Sequence, residues 1–182
     1  EIKHFYDSLM GTEYFFNDAN VVEIGSGGGF PSIPLMILNR SLKFTLIESV
    51  GKKCAFLKEV INVLNLNAKV INIRAEDIDK YTLRESFDIV TARAVARLNT
   101  LSEYCIPFIK KGGLFVAYKG SDGLEEIEAK NAVEVLGCKK ESKKKYELIN
   151  SEGTRNIYVY KKIKNTPLKY PRGNGKERKN PL

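Results

Sequence analysis

The sequence predicts an α/β fold built on a doubly wound, seven-stranded and mainly parallel β-sheet. Three observations carry this. Apolar runs of strand length, bounded by turn residues, alternate with helical patterns as far as Lys119. A glycine-rich loop joins the first convincing strand to the first helix. The last two strand-like stretches follow each other without a helix between them, which marks an antiparallel hairpin at the end of the sheet.

Taken in order, the first strand is Val21 to Gly25, and a helix follows from Ser32 to Leu38. The second strand, Phe44 to Ile47, leads into a helix over Lys52 to Leu64. There Phe56, Val60, Val63 and Leu64 recur at helical spacing and are expected to form the buried face. Val70 to Ile73 and Asp88 to Thr91 read as the third and fourth strands. A helix from Leu98 to Ile109 passes through Lys110-Lys111-Gly112-Gly113 into a fifth strand, Leu114 to Tyr118. Ser121 to Leu136 is helical in pattern. Lys144 to Ile149 and Asn156 to Tyr160 then form the hairpin around the turn-rich Asn150-Ser151-Glu152-Gly153.

With 182 residues the chain is expected to form one domain, able to bury about 70% of the surface of its unfolded state without a metal or disulfide staple. The net charge is +8, and it is unevenly placed. From Lys161 to Leu182 there are eight basic residues and one acidic residue, so the body of the chain is close to neutral. This segment also holds Pro167, Pro171 and Pro181. Its composition predicts an extended or mobile basic tail, residues 164–182, beyond a domain of residues 1–163. Such a tail suits a polyanion, and its removal from Thr166 onward is expected to weaken polyanion affinity and its salt dependence while sparing what the rest of the chain binds.

Several classes are excluded. No run of 18 apolar residues spans a membrane, and the start at Glu1 shows no secretory core. Cys54, Cys105 and Cys138 are widely spaced and odd in number, which predicts free thiols in a reducing cytoplasm. A single histidine, His4, builds neither a His-rich zinc site nor a Ser-His system, so no metal is expected.

The chemistry centres on Val21-Val22-Glu23-Ile24-Gly25-Ser26-Gly27-Gly28-Gly29-Phe30-Pro31. Its glycines allow a sharp turn and a close approach of a ligand to the backbone. The spacing is G-x-G-x-G. Phe30 occupies the last position of the dinucleotide fingerprint, and no G-K-[ST] follows, so this is not a Walker loop. Glu23, two residues before the first glycine, would repel a pyrophosphate but suits an ammonium. Glu48, 21 residues after Gly27 at the end of the next strand, suits the two hydroxyls of a ribose. Adenosine joined to an amino acid satisfies both acids, and S-adenosylmethionine is that ligand. A nicotinamide oxidoreductase remains the alternative enzyme class, and a tight turn with a solvated Glu48 the structural one.

These residues, continued by Phe30-Pro-Ser-Ile-Pro-Leu, Leu46-Ile-Glu-Ser-Val-Gly-Lys-Lys, Arg74-Ala-Glu, Thr91-Ala-Arg-Ala-Val-Ala and Tyr118-Lys-Gly, resemble the GidB family, also called RsmG. The likeness runs from His4-Phe-Tyr-Asp-Ser-Leu to Tyr170-Pro-Arg and Lys179-Asn-Pro-Leu. It implies a Rossmann-like methyltransferase fold with an antiparallel last strand, S-adenosylmethionine as cofactor, and methylation of guanine N7 in 16S ribosomal RNA of the small subunit. A monomer is expected. The family carries Asp where this chain has Glu23, and a helical segment before His4 that is expected to be missing here.

By the same resemblance, cofactor contacts fall on Gly25, Phe30, Ala75, Glu76 and Arg93. By residue type alone Phe30 reads as a core aromatic, and Glu76 with Asp77 as a helix cap. Guanine N7 has a free lone pair, so the reaction needs alignment and no general base. Arg93 and Lys119 are expected to position the base through its acceptor O6 or through its phosphates. Lys52 and Lys53 oppose the dipole of the helix they begin, which favours an RNA phosphate contact over a stabilising role; a solvated pair is the alternative. Arg172 in the tail is assigned to RNA. The run Lys139 to Lys145 reads as a solvated edge. A non-catalytic RNA-binding module on this fold is the third reading.

Overall fold

Strands covered on both faces must be apolar along their whole length, and this is how the centre of the sheet is built. In β1 (Asn20–Ile24) the last four residues are buried, and in β2 (Lys43–Glu48) the last five. The computed structural model describes residues 2–149 and 153–182. Further strands are β3 (Ala68–Asn72), β4 (Phe87–Arg93), β5 (Ile109–Lys119), β6 (Cys138–Glu147) and β7 (Thr154–Lys162), arranged in the order β3-β2-β1-β4-β5-β7-β6. The pairs among β1 to β5 are parallel, whereas β7 runs antiparallel to both β5 and β6. The seven-stranded, mainly parallel sheet with an antiparallel last strand is therefore as the sequence predicts.

Two apolar layers cover the sheet. Val21, Phe44, Leu46 and Ile89 pack with residues of α2 (Ser32–Leu38) and α3 (Gly51–Val63), and α1 (Ile2–Leu9) leans on α2. On the other face Val22, Ile24, Val90 and Phe115 pack against α4 (Leu98–Cys105) and α6 (Lys130–Val135). Strand order reverses between β1 and β4, so the loops after these two strands diverge and leave a crevice at the carboxyl edge.

Four local expectations are corrected. In α3 the residues facing the sheet are Cys54 and Leu57, with Val60 and Ile61 partly buried, while Phe56 is 50% and Val63 74% exposed. The helix is apolar on more than one side, so periodicity alone does not choose the face; docking on the sheet does. Lys110 to Gly113 is not a turn before β5 but lies inside it. There the register with β4 jumps from Phe87↔Ile109 to Ile89↔Leu114, a bulge that requires Gly113, whose Cβ would lie 2.4 Å from Asp88 O. The helical stretch after Ser121 breaks at Ala129 into α5 (Leu124–Glu128) and α6. Strand β6 begins at Cys138, earlier than predicted, because its lysines conceal an edge strand: Lys140 and Lys143 both pair with Glu126, and Lys144 with Glu13. Of the expected hairpin turn, residues 150–152 lie outside the described residues.

The basic tail is neither extended nor detached. Tyr170 is buried against the α4 layer, Glu177 is fully buried in α7 (Lys176–Lys179), and Leu182 packs on the same core. Lys162 is buried too, with Nζ donating to Ile106 O at 3.0 Å and Thr166 Oγ1 at 2.5 Å. Composition concealed this because the segment brings few apolar residues of its own. It is held by polar groups that the body supplies, Glu103, Arg84 and Thr100.

Candidate active site

At the crevice the chain turns from β1 into the glycine loop. Gly25 has φ +69°, and a Cβ there would sit 2.7 Å from Val95 Cγ2 in the loop after β4. Only glycine lets these two loops touch. The Gly25 N–H donates to Ile47 O at 2.8 Å, tying the loop to the end of β2. From that end Glu48, 5% exposed, accepts from Gly27 N–H through Oε2 and from Val50 N–H through Oε1, both at 2.9 Å. Glu48 thus braces the loop, and each of its oxygens keeps a lone pair for another donor.

Glu23 stands one step back on β1 and is 1% exposed. Neither carboxylate oxygen has a hydrogen-bond partner among the described residues. Burial pushes its pKa up to about 7, against the opposing pull of the nearby Ser32 and Ser26 hydroxyls and the Arg93 charge. A buried acceptor without a donor is costly, and its presence beside a glycine cradle marks a place for a cationic donor from a ligand. The residues therefore fit the ammonium and ribose of S-adenosylmethionine.

Beyond the loop a small cleft of about 90 Å³ is lined by Ile24, Gly25, Ile73, Ala75, Glu76 and Tyr104, with Val95 and Arg178 at its rim. Ala75 and Glu76 open the 3₁₀ segment Ala75–Tyr81 after β3. Of the expected cofactor residues Gly25, Ala75 and Glu76 line this cleft, while Glu23, Gly27 and Glu48 stand at the same edge of the sheet without lining it.

Phe30 and Arg93 lie on the other side of the loop, beside a second cavity of about 360 Å³ lined by Lys3, His4, Asp7, Arg93, Lys119 and Arg155 among others. Arg93 Nη1 donates to Asp7 Oδ2 at 2.9 Å, its guanidinium lies 5.2 Å from the Phe30 ring centroid, and Nη2 lies 3.4 Å from His4 Nδ1. Phe30 is half-buried and packs edge-on against Phe5 at 5.2 Å, so it is not a core aromatic; it lines neither cavity and reaches the second one through its contacts with Arg93 and His4. Lys119 Nζ donates to Ala96 O at 2.7 Å and to Glu125 Oε2 at 2.6 Å, with its side chain 9% exposed. Both cations are thus held in fixed directions by carboxylates.

The sequence reading missed Asp7, Tyr146 and Arg155 as site residues. Asp7 accepts from both Arg93 and the Tyr146 hydroxyl, and Tyr146 reaches it from β6. The spacing of His4 and Asp7, three apart on α1, was a legible signal that they share a helix face. Nothing local announced Tyr146 or Arg155, which arrive only because the β6–β7 hairpin folds back on the sheet. Lys52 and Lys53 are exposed in the first turn of α3, close to Glu48 in the chain. Arg172 lines neither cavity: its Nη2 grips Glu103 Oε2 at 2.7 Å, and its Nε lies 3.0 Å from Oε1.

A family model described as rRNA small subunit methyltransferase G matches residues 1–162. A relative named ribosomal RNA small subunit methyltransferase G from Lactobacillus acidophilus is 45% identical over all of this chain and 78% of its own length. One of the same name from Staphylococcus aureus (strain bovine RF122) is 47% identical over all of this chain and 77% of its own. Among solved structures, M. jannaschii TYW2 in complex with AdoMet superposes with a TM-score of 0.70 at 20% identity, covering 90% of this chain and 78% of that one, which shows a shared fold.

Proposed function

We propose, from the premise that the chain belongs to the GidB family of rRNA small subunit methyltransferases, that it transfers a methyl group from S-adenosylmethionine to N7 of a guanine in 16S ribosomal RNA. The observation that carries the cofactor assignment is Glu23, a buried carboxylate with no partner beside the glycine loop. Nothing in the fold or the relatives favours a nicotinamide oxidoreductase or a non-catalytic module.

When bound, S-adenosylmethionine supplies a methyl group activated by its sulfonium sulfur. Glu23 would accept the ammonium, Glu48 would accept the ribose hydroxyls with the lone pairs left over from the loop N–H groups, and Ala75 and Glu76 would meet the adenine edge. Arg93 and Lys119 donate toward guanine O6, leaving the N7 lone pair free to face the methyl. No proton leaves N7, so no general base is required; orientation and exclusion of water carry the rate. Asp7, with Tyr146 behind it, fixes the direction of Arg93 and cancels part of its charge, which suits a directional hydrogen bond better than loose phosphate capture. Lys52 and Lys53 contact RNA phosphates beside the cofactor edge.

The protein is proposed to act as a monomer. Among the described residues no helix is long and apolar enough to cross a membrane, and the buried free thiols of Cys54, Cys105 and Cys138 fit a reducing cytoplasm. The test is incubation with labelled S-adenosylmethionine and small subunits from a strain lacking this protein, followed by mapping of 7-methylguanine. Label on 16S rRNA at a single guanine N7 is expected; label on an exocyclic amine or on the ribose refutes the assignment.

A further inference from the structure

We infer that Arg178, carried on the C-terminal α7, is a cofactor-contact residue that forms the outer wall of the adenine cleft. This deepens the S-adenosylmethionine reading and rests on it. The cleft's lining includes the almost fully buried Ile73, Ala75 and Tyr104 and two cations, Arg74, which lies 3.7 Å from Glu76 Oε1 with its side chain 71% exposed, and Arg178. Arg178 is exposed, but the short helix that carries it is held from several sides. Its neighbour Glu177 is fully buried, the Glu177 carbonyl accepts from Thr100 Oγ1 at 3.0 Å, and its carboxylate accepts from Gly173 N–H. Arg172 spans from Glu103 on α4 to Asn180 O at 2.9 Å, closing the loop around α7.

The anchors Thr100 and Glu103 lie on α4, and so does Tyr104, which lines the cleft itself. The other side of the tail is fastened near the 3₁₀ segment of Ala75 and Glu76: Arg84 donates to Tyr170 O at 2.5 Å and pairs with Asp79 of that segment. The two elements that flank the cleft therefore also hold the helix that carries Arg178. A planar guanidinium carried on an anchored backbone beside a purine gains stacking and cation–π contact and has only its own side-chain torsions left to order.

The test is calorimetry on wild type, R178A, R178K and E23Q with two ligands, S-adenosylhomocysteine and methylthioadenosine, which lacks the amino acid. R178A is expected to weaken both ligands in parallel, by about 3- to 30-fold, with an unchanged melting temperature in their absence. R178K is expected to recover only part of the loss, because it restores charge without the plane. E23Q is expected to weaken S-adenosylhomocysteine and spare methylthioadenosine. Equal affinities in wild type and R178A overturn the inference while leaving the cofactor reading intact. An R178A protein that binds both ligands normally but loses RNA affinity makes Arg178 a phosphate contact and also overturns it. Failure of the wild type to bind either ligand overturns the cofactor reading and this inference with it.

Discussion

Replacing Arg172 by alanine should destabilise the whole domain. Glu103 is 1% exposed, and among the described residues its Oε2 receives donors only from the Arg172 side chain, Nε at 3.1 Å and Nη2 at 2.7 Å, while Oε1 also accepts from the Arg172 backbone N–H at 2.8 Å. The substitution strips Oε2 and leaves Oε1 its backbone donor, so the cost belongs near the lower end of the range for breaking a buried pair, about 3 kcal/mol. For a domain of this size that is a fall in Tm of about 6–12 °C. Urea denaturation should show a lower midpoint at an unchanged slope. The double variant E103L/R172M, which removes both charges, should recover most of the loss. A loss below about 1 kcal/mol, together with a salt slope for RNA binding reduced by about one contact, would falsify the structural role and return Arg172 to the RNA surface.

The raised pKa of Glu23, about 7 against 4.5 in the unfolded chain, gives two further predictions. Between those pH values the unfolded chain releases a proton that the folded one keeps, so stability without cofactor falls by about 3 kcal/mol as pH rises toward 7 and then levels; denaturation of E23Q across that range should lack the decline. An ammonium ligand selects the ionised carboxylate, so S-adenosylmethionine affinity should rise up to about tenfold per pH unit below 7 and flatten above it, which calorimetry in buffers of different ionisation enthalpy can follow. Gly25→Ala meets Val95 at 2.7 Å with φ +69° and should abolish cofactor binding while costing about 1–3 kcal/mol of stability, read by titration and thermal melting. Deleting residues 166–182 should yield an unstable protein that loses cofactor affinity, contrary to the expectation for a free RNA arm; a deletion variant that melts like the full chain refutes the packing described here.

The parallel core was legible because burial on both faces leaves unbroken apolar runs such as Val21-Val22 and Leu46-Ile47, and because the glycine loop announces both a strand end and a helix start. The cofactor edge was legible for a related reason: Glu23 and Glu48 sit at strand ends, where position in the chain fixes position in space. What escaped were features set by long-range contact. Phe56 and Leu57 are neighbours in sequence, and only docking decides which one enters the core. Lysines hid β6 because an edge strand is specified by what it must not pair with. The ion pair of Arg172 with Glu103 joins residues far apart in the chain, and charge counting assigned to RNA a guanidinium that the protein uses on itself.

The burial of Tyr170 and Glu177 against α4 also bears on synthesis. The α4 layer exists in the nascent chain long before the residues that cover it, and β5 waits for β7 to pair with its open edge. Folding therefore cannot be completed vectorially from the N-terminus. While residues 170–182 remain inside the exit tunnel, the side of α4 that carries Thr100 and Glu103 stays open to solvent and to chaperones. A chain proposed to act on the small ribosomal subunit thus acquires the fold described above only once residues 170–182 have left the exit tunnel of the ribosome that makes it.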